Sequence, residues 1–327
     1  MQEQKARHNP RIIYLGTPEF AVPSLDALIR NGYQVSAVVT APDQPSGRGL
    51  HLNASPVKTF ALQHNIPVLQ PEKLRDETFL KQLENFHADL FIVVAFRMLP
   101  EIIWKMPPLG TFNLHASLLP QYRGAAPIQH AVMNGETETG LTTFFLRQEI
   151  DTGEIIYQEK IAISPDETAG ELHDRMKIAG AGLVIKTVKA IGAGDFKTVD
   201  QGALIESALA LKAAPKIFRE DCRINWSQET PRIYNMIRGL SPVPGAFTHL
   251  SSPEGEEHHL KIYRARKSDL PGNLLPGTIQ TDGKKYIAVA ASDGMLYLEE
   301  VQLAGKRMMK TEELLRGFHL NSDWKLR

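Results

Sequence analysis

The sequence predicts an α/β protein: a doubly wound, mostly parallel sheet followed by a small C-terminal β-barrel. Two patterns carry this. Short apolar runs at residues 11–16, 34–40 and 90–95 alternate with segments of helical character, as buried parallel strands joined by crossover helices do. From residue 245 to 301, five short strand-like runs follow one another at turn-like intervals, which suits a Greek-key barrel of OB type. A length of 327 residues is ample for two domains.

The first strand, residues 11–16, is a short apolar run ending in Gly16. A helix over 20–30 stops at Asn31-Gly32, and 34–40 is the next strand. The turn at 16–20 has one glycine where a dinucleotide turn needs three, and no Gly-Lys-Ser/Thr, so it carries neither fingerprint of a nucleotide cofactor and argues against one there. Residues 41–55 read as a long polar loop with two prolines and two glycines around Arg48. Helices follow over 56–65 and 76–85, the second capped by Asp76, with a strand at 66–69. Residues 90–95 are a fully buried strand, and Phe96 and Met98 follow at its carboxyl end, where open α/β sheets bind ligands. Strand 110–115, helix 127–133, strands 139–145 and 155–163, and a long helix over 168–193 complete the pattern. Its run Ala179-Gly-Ala-Gly182 permits close packing. Residues 194–214 have no strong periodicity and read as a linker with a short helix. The organisation expected is a leader (1–10), a catalytic domain (11–200), a linker (201–213) and a C-terminal domain (214–327).

Composition narrows the function classes. Formal net charge is zero, so no global basic field marks the chain as a nucleic-acid binder. From Ala210 onward, however, 18 Lys and Arg stand against 14 Asp and Glu, which suits an anionic partner such as RNA. Cys222 is the only cysteine, which excludes an internal disulfide framework and fits a reducing compartment. No apolar run approaches membrane-spanning length, and the first ten residues are polar.

The chemistry concentrates in 112–127, Phe-Asn-Leu-His-Ala-Ser-Leu-Leu-Pro-Gln-Tyr-Arg-Gly-Ala-Ala-Pro. Asn113 and His115 are two apart, so on a strand they share one face while Phe112 and Leu114 take the other. An amide can hold a developing oxyanion and an imidazole can move a proton, the two needs of acyl transfer. Further on, Asp151-Thr-Gly153 matches the aspartic protease triplet, but no second copy exists and the N-terminal pattern is α/β, so that chemistry is rejected.

Asn113-Leu-His115, Ser117-Leu-Leu-Pro120, Arg123-Gly-Ala-Ala-Pro127 and Asp151-Thr-Gly153 together resemble the folate-dependent formyltransferases, and the resemblance runs over nearly the whole chain. It implies a Rossmann-like catalytic domain with an OB-like second domain. The implied activity is a one-carbon transferase that moves a formyl group from 10-formyltetrahydrofolate to the α-amine of methionine on initiator tRNA, without a metal. It implies Asn113, His115 and Asp151 as the catalytic set, with Asp151 facing the histidine. It implies Ser117, Leu118, Leu119 and Pro120 as the folate loop, with Phe96 and Met98 at the pterin. It implies Gly47, Arg48 and Gly49 as a tRNA-contacting loop. A monomeric cytoplasmic enzyme of translation initiation is expected. Relatives acting on amino sugar nucleotides or glycinamide ribonucleotide share the site, a hydrolase would use water as acceptor, and an RNA-binding protein on a dead enzyme is opposed by the intact Asn113, His115 and Asp151. The chain departs from the usual Ile-Asp-Trp at Ile224-Asn225-Trp226.

Overall fold

A computed structural model describes residues 9–46, 51–205, 210–268 and 274–327. It forms two compact units that are not contiguous in sequence. The first holds residues 1–124, 139–161 and 173–213; the second holds 125–138, 162–172 and 214–327.

The first unit is built on a seven-stranded sheet: β1 (Ile12–Gly16), β2 (Val35–Val39), β3 (Val68–Leu69), β4 (Leu90–Val94), β5 (Thr111–His115), β6 (Glu138–Phe145) and β7 (Ile155–Ala162). The spatial order is β7-β6-β5-β4-β1-β2-β3. β1 pairs parallel with β2 and β4, β2 with β3, and β4 with β5, whereas β6 runs antiparallel to β5. The apolar runs of the sequence are therefore central strands: every residue of β1 and β4 is buried. One core layer gathers Ile13, Leu15, Val39, Phe91 and Val93 against Phe79 and Leu83 of the helix Glu77–Asn85. That helix starts where Asp76 accepts from the Phe79 amide at 3.0 Å. The long helix Ala169–Ala193 passes close over β5: a Cβ on Gly180 would stand 2.8 Å from Leu114 Cδ2.

Residues 41–55 are not one loop. Gln44–Ser46 and His51–Asn53 pair as a short antiparallel hairpin. Polar residues and Pro45 conceal these strands from a periodicity reading. The hairpin's foot is tied down at Asp43, which accepts from Lys58 Nζ at 2.5 Å and Gln70 Nε2 at 2.8 Å. Those two donors hold the Asp43 carboxyl below its ordinary value.

The second unit is an antiparallel sheet of β8 (Ala246–Ser251), β9 (Glu257–Lys267), β10 (Ile279–Thr281), β11 (Ile287–Ala290), β12 (Met295–Leu303) and β13 (Lys325–Leu326), in the order β10-β11-β12-β9-β8-β13. Lys325 pairs with Ser251 on one side and bridges to Thr278, just before β10, on the other. The C-terminal strand thus brings the two ends of the sheet together into a nearly closed barrel, shortening the open edge an isolated sheet would expose. Helix Thr230–Leu240 lies against helix Pro127–Met133, where a Cβ on Gly239 would meet Met133 Cγ at 2.5 Å. Asn225 Oδ1 accepts from the Ser227 amide at 3.0 Å, a turn contact in which an amide oxygen substitutes for a carboxylate. Trp226 is buried and donates to Thr248 Oγ1 at 3.0 Å.

Candidate active site

β5 carries Asn113 and His115 on one face and ends at the sheet's carboxyl edge. His115 is buried, and its Nε2 lies 2.9 Å from the Tyr122 carbonyl oxygen. A carbonyl only accepts, so Nε2 carries the proton and Nδ1 is the free nitrogen of the neutral ring. Nδ1 stands 3.8 Å from Asp151 Oδ2, too far for a direct hydrogen bond and close enough to stabilise an imidazolium. The Asp151 carboxylate also accepts from the Gly124 amide at 3.1 Å. Asn113 is half-buried, and its amide makes no hydrogen bond with the described residues. It is a donor left open beside the imidazole.

The loop after β5 is shaped from behind. Thr142 Oγ1 donates to the Ser117 carbonyl at 2.7 Å and accepts from the Leu119 amide at 3.2 Å. Gln158 Nε2 reaches the Leu119 carbonyl at 2.8 Å and Thr142 Oγ1 at 3.0 Å. The Ser117 hydroxyl, expected to face a ligand, instead donates to the Gln121 carbonyl at 2.6 Å. Leu119 is likewise turned inward, packing with Phe144 and Ile155. Pro120 is buried behind a cis peptide, while Leu118 is partly exposed. After β4, Phe96 packs on the core and Met98 stands 70% exposed. An exposed thioether beside a strand's carboxyl end is available to a flat apolar ligand. Gly47, Arg48 and Gly49 lie outside the described residues.

The structure brings Asn113, His115 and Asp151 together, and adds Gln201, which the sequence had placed in a linker. Gln201 is 2% exposed and donates to the carbonyls of Asp151 (2.9 Å) and Gly153 (2.8 Å). No periodicity signals it; only the long-range path of the chain does. Thr142 and Gln158 were equally silent, as polar side chains within ordinary strands. Among the described residues no group of three His, Cys, Asp or Glu side chains is placed to hold a metal.

The second unit carries a groove of about 500 Å³ lined by Tyr234, Arg238, Arg264, Arg266, Lys267 and Glu299, among others. Glu299 is engaged by Arg266 at 3.3 Å, and Arg264 pairs with Glu171. Arg238 is 6% exposed, donates to Asn235 Oδ1 at 2.8 Å and the Glu167 carbonyl at 3.1 Å, and feels the charges of Asp166 and Glu167, whereas Lys267 is exposed and makes no ion pair among the described residues. Both cations approach the Tyr234 ring, at 6.0 and 5.7 Å.

Residues 10–188 match the formyl transferase model, and residues 216–319 match the formyl transferase C-terminal domain. The chain belongs to the formyl transferase family. A Bacteroides fragilis protein named methionyl-tRNA formyltransferase is 54% identical over 319 residues, 97% of this chain and 98% of that protein. A Porphyromonas gingivalis protein of the same name is 47% identical over 317 residues, 96% and 97% of the two chains. Among solved structures, the sugar 3N-formyl transferase WlaRD, determined with dTDP and 5-N-formyl-THF, has a TM-score of 0.59 at 20% identity, covering 92% of this chain and 100% of that one. HypX from Aquifex aeolicus, in complex with tetrahydrofolic acid, has a TM-score of 0.61 at 17% identity, covering 94% of this chain and 47% of that one. At these identities the likeness is one of fold. The formyl transferase match spans Asn113, His115 and Asp151, but stops short of Gln201.

Proposed function

We propose that this chain transfers the formyl group of 10-formyltetrahydrofolate to the α-amine of methionine esterified to initiator tRNA. The observation that carries the chemistry is an unpartnered Asn113 amide beside a His115 ring whose Nε2 is already committed to Tyr122. The acceptor follows from relatives named methionyl-tRNA formyltransferase, similar across both units rather than the catalytic one alone.

Asn113 donates its amide to the formyl oxygen as negative charge develops there. His115 Nδ1 takes a proton from the attacking amine, and Asp151 stabilises the resulting imidazolium from 3.8 Å. The same imidazolium returns the proton to the departing folate nitrogen. The folate, when bound, supplies a formyl carbon on a nitrogen able to leave. Phe96, Met98, Leu118 and the loop backbone at Ser117, Leu119 and Pro120 fit a pterin-bearing ligand: Met98 is exposed, while the loop is held rigid by Thr142 and Gln158.

Gly47, Arg48 and Gly49 and the exposed cation Lys267 hold phosphates of the tRNA. A guanidinium between glycines meets a phosphate bidentately, and Lys267 lines the groove with no ion pair among the described residues. We assign the protein to the cytoplasm, as a monomer, from the translation-related name that its relatives carry; no described helix is long and apolar enough to cross a membrane. The test is formyl transfer from 10-formyltetrahydrofolate to charged initiator tRNA, with charged elongator tRNA and no-acceptor controls. Transfer to the charged initiator alone is expected. Folate turnover without tRNA would replace the reading by a hydrolase, and no turnover with either would redirect it to amino sugar nucleotides.

A further inference from the structure

Gln201 lies between the two stretches that the family models match, 10–188 and 216–319. Its side chain nevertheless makes more hydrogen bonds behind the active site than any residue of the catalytic set. Nε2 donates to the Asp151 and Gly153 carbonyls, and Oε1 accepts from Arg123 Nε (3.1 Å) and Nη2 (2.6 Å). A flipped amide would set its oxygen against two carbonyls and its NH₂ against a guanidinium, so the four bonds fix one orientation. Those bonds bear on a turn that needs holding. Asp151 sits at φ +54°, a left-handed conformation that costs a residue with a Cβ roughly 1 kcal/mol or more. Arg123 precedes Gly124, whose amide donates to the Asp151 carboxylate. One side chain thus joins the Asp151 backbone to the segment that aims its carboxylate.

The strap carrying Gln201 is itself fixed. Val199 and Ile155 exchange backbone hydrogen bonds at 2.9 Å, and Asp200 Oδ1 accepts from the Gly202 amide at 2.7 Å. A segment that reads as a linker therefore returns to the catalytic turn, anchored to Ile155 just before Gln201 and turned locally around it by Asp200.

We infer that Gln201 is a positioning residue for formyl transfer: with Arg123 it holds the Asp151 turn so that the carboxylate faces His115 Nδ1. This rests on the catalytic assignment of Asp151. Its test uses the full chain with 10-formyltetrahydrofolate and charged methionyl-tRNA. Gln201→Glu keeps an acceptor for Arg123 but has no proton to give the two carbonyls. Gln201→Met keeps the length and removes all four bonds. Both are expected to lower kcat about 10- to 100-fold with the KM of each substrate within about threefold, since a misplaced group costs chemistry rather than binding. In an Asp151→Asn background, Gln201→Met is expected to cost less than about threefold more, because a residue acting through Asp151 has nothing left to position.

The outcomes separate cleanly. If Asp151→Asn leaves kcat unchanged, the catalytic assignment falls. If Asp151→Asn is slow but both Gln201 variants turn over normally, the inference falls. It also falls if the Gln201 and Asp151 losses multiply in full, or if Gln201→Met acts only through KM or thermal unfolding while Gln201→Glu is unaffected.

Discussion

Gly153→Ala is the most exacting perturbation of the site. A Cβ there would stand 1.6 Å from the Phe145 carbonyl oxygen and 3.2 Å from Phe144 Cδ2. Carbon and oxygen do not approach so closely, so the turn or the strand must retreat by roughly 1.5 Å to reach even tight packing. The strand end is held: Phe145 donates to the Glu154 carbonyl and Leu146 to the Thr111 carbonyl, at 3.0 and 2.9 Å. The turn is held too, by Gln201 at the carbonyls of Gly153 and Asp151. Overpacking of this kind costs about 1–3 kcal/mol, roughly 1.5–4 °C in Tm for a protein of this size. Asp151, two residues upstream, cannot stay in register with His115 through such a shift, and a displacement of about 1 Å costs of order 10² in rate. Single-turnover formyl transfer at saturating substrates, with a thermal melt of the same sample, measures both. Wild-type kcat with an unchanged Tm would refute the packing account, and a lowered Tm with wild-type kcat would refute the link from turn to catalysis.

Asn113→Ala is expected to lower kcat by about 10²–10³ while leaving Tm unchanged, since the amide holds no structural bond; steady-state kinetics and a melt decide it. Lys267→Ala is expected to weaken tRNA binding at every sequence and to reduce the salt slope of log K by roughly 0.7–0.9, read by filter binding across a salt series. Burial first, and then the hydrogen bond to Asp166, push the Tyr234 hydroxyl up to about 12. Its folded value lies above the unfolded one, so its contribution to stability is complete below pH about 10 and is lost as pH rises toward 12. Tyr234→Phe should therefore flatten that alkaline loss relative to wild type in denaturant titrations.

What the sequence reveals about this chain follows the range of the interactions involved. β1 and β4 are legible because burial on both faces demands an unbroken apolar run. Asn113 and His115 are legible because a strand's period of two puts them on one face beside apolar neighbours. The hairpin Gln44–Ser46 and His51–Asn53 is not, because its pairing rests on backbone bonds between polar residues. The barrel's closing strand, Lys325–Leu326, is two residues long and has no period to detect. Ser117 shows a different limit. Its hydroxyl is conspicuous in the motif, but the local turn takes it, with its oxygen 2.6 Å from the Gln121 carbonyl.

Within the site, chemistry and support fall on different residues. Asn113 carries no structural hydrogen bond, and His115 spends only the nitrogen that does not face Asp151. The polar side chains that fix the backbone, Thr142, Gln158 and Gln201, satisfy carbonyls and amides that burial would otherwise strand at roughly 1–3 kcal/mol each. The division has a physical reason. A donor that stabilises charge only as it develops must not be consumed in the resting protein, and a carboxylate that stabilises an imidazolium must not be free to swing away from it. Asn113 meets the first condition, and Asp151 meets the second, because its carboxylate is aimed by one amide, from Gly124, while the backbone beneath it is clamped by Gln201. Losses at the chemical residues should therefore appear in kcat with the fold intact, whereas losses at the supports should scale with how far each lets the turn or loop move.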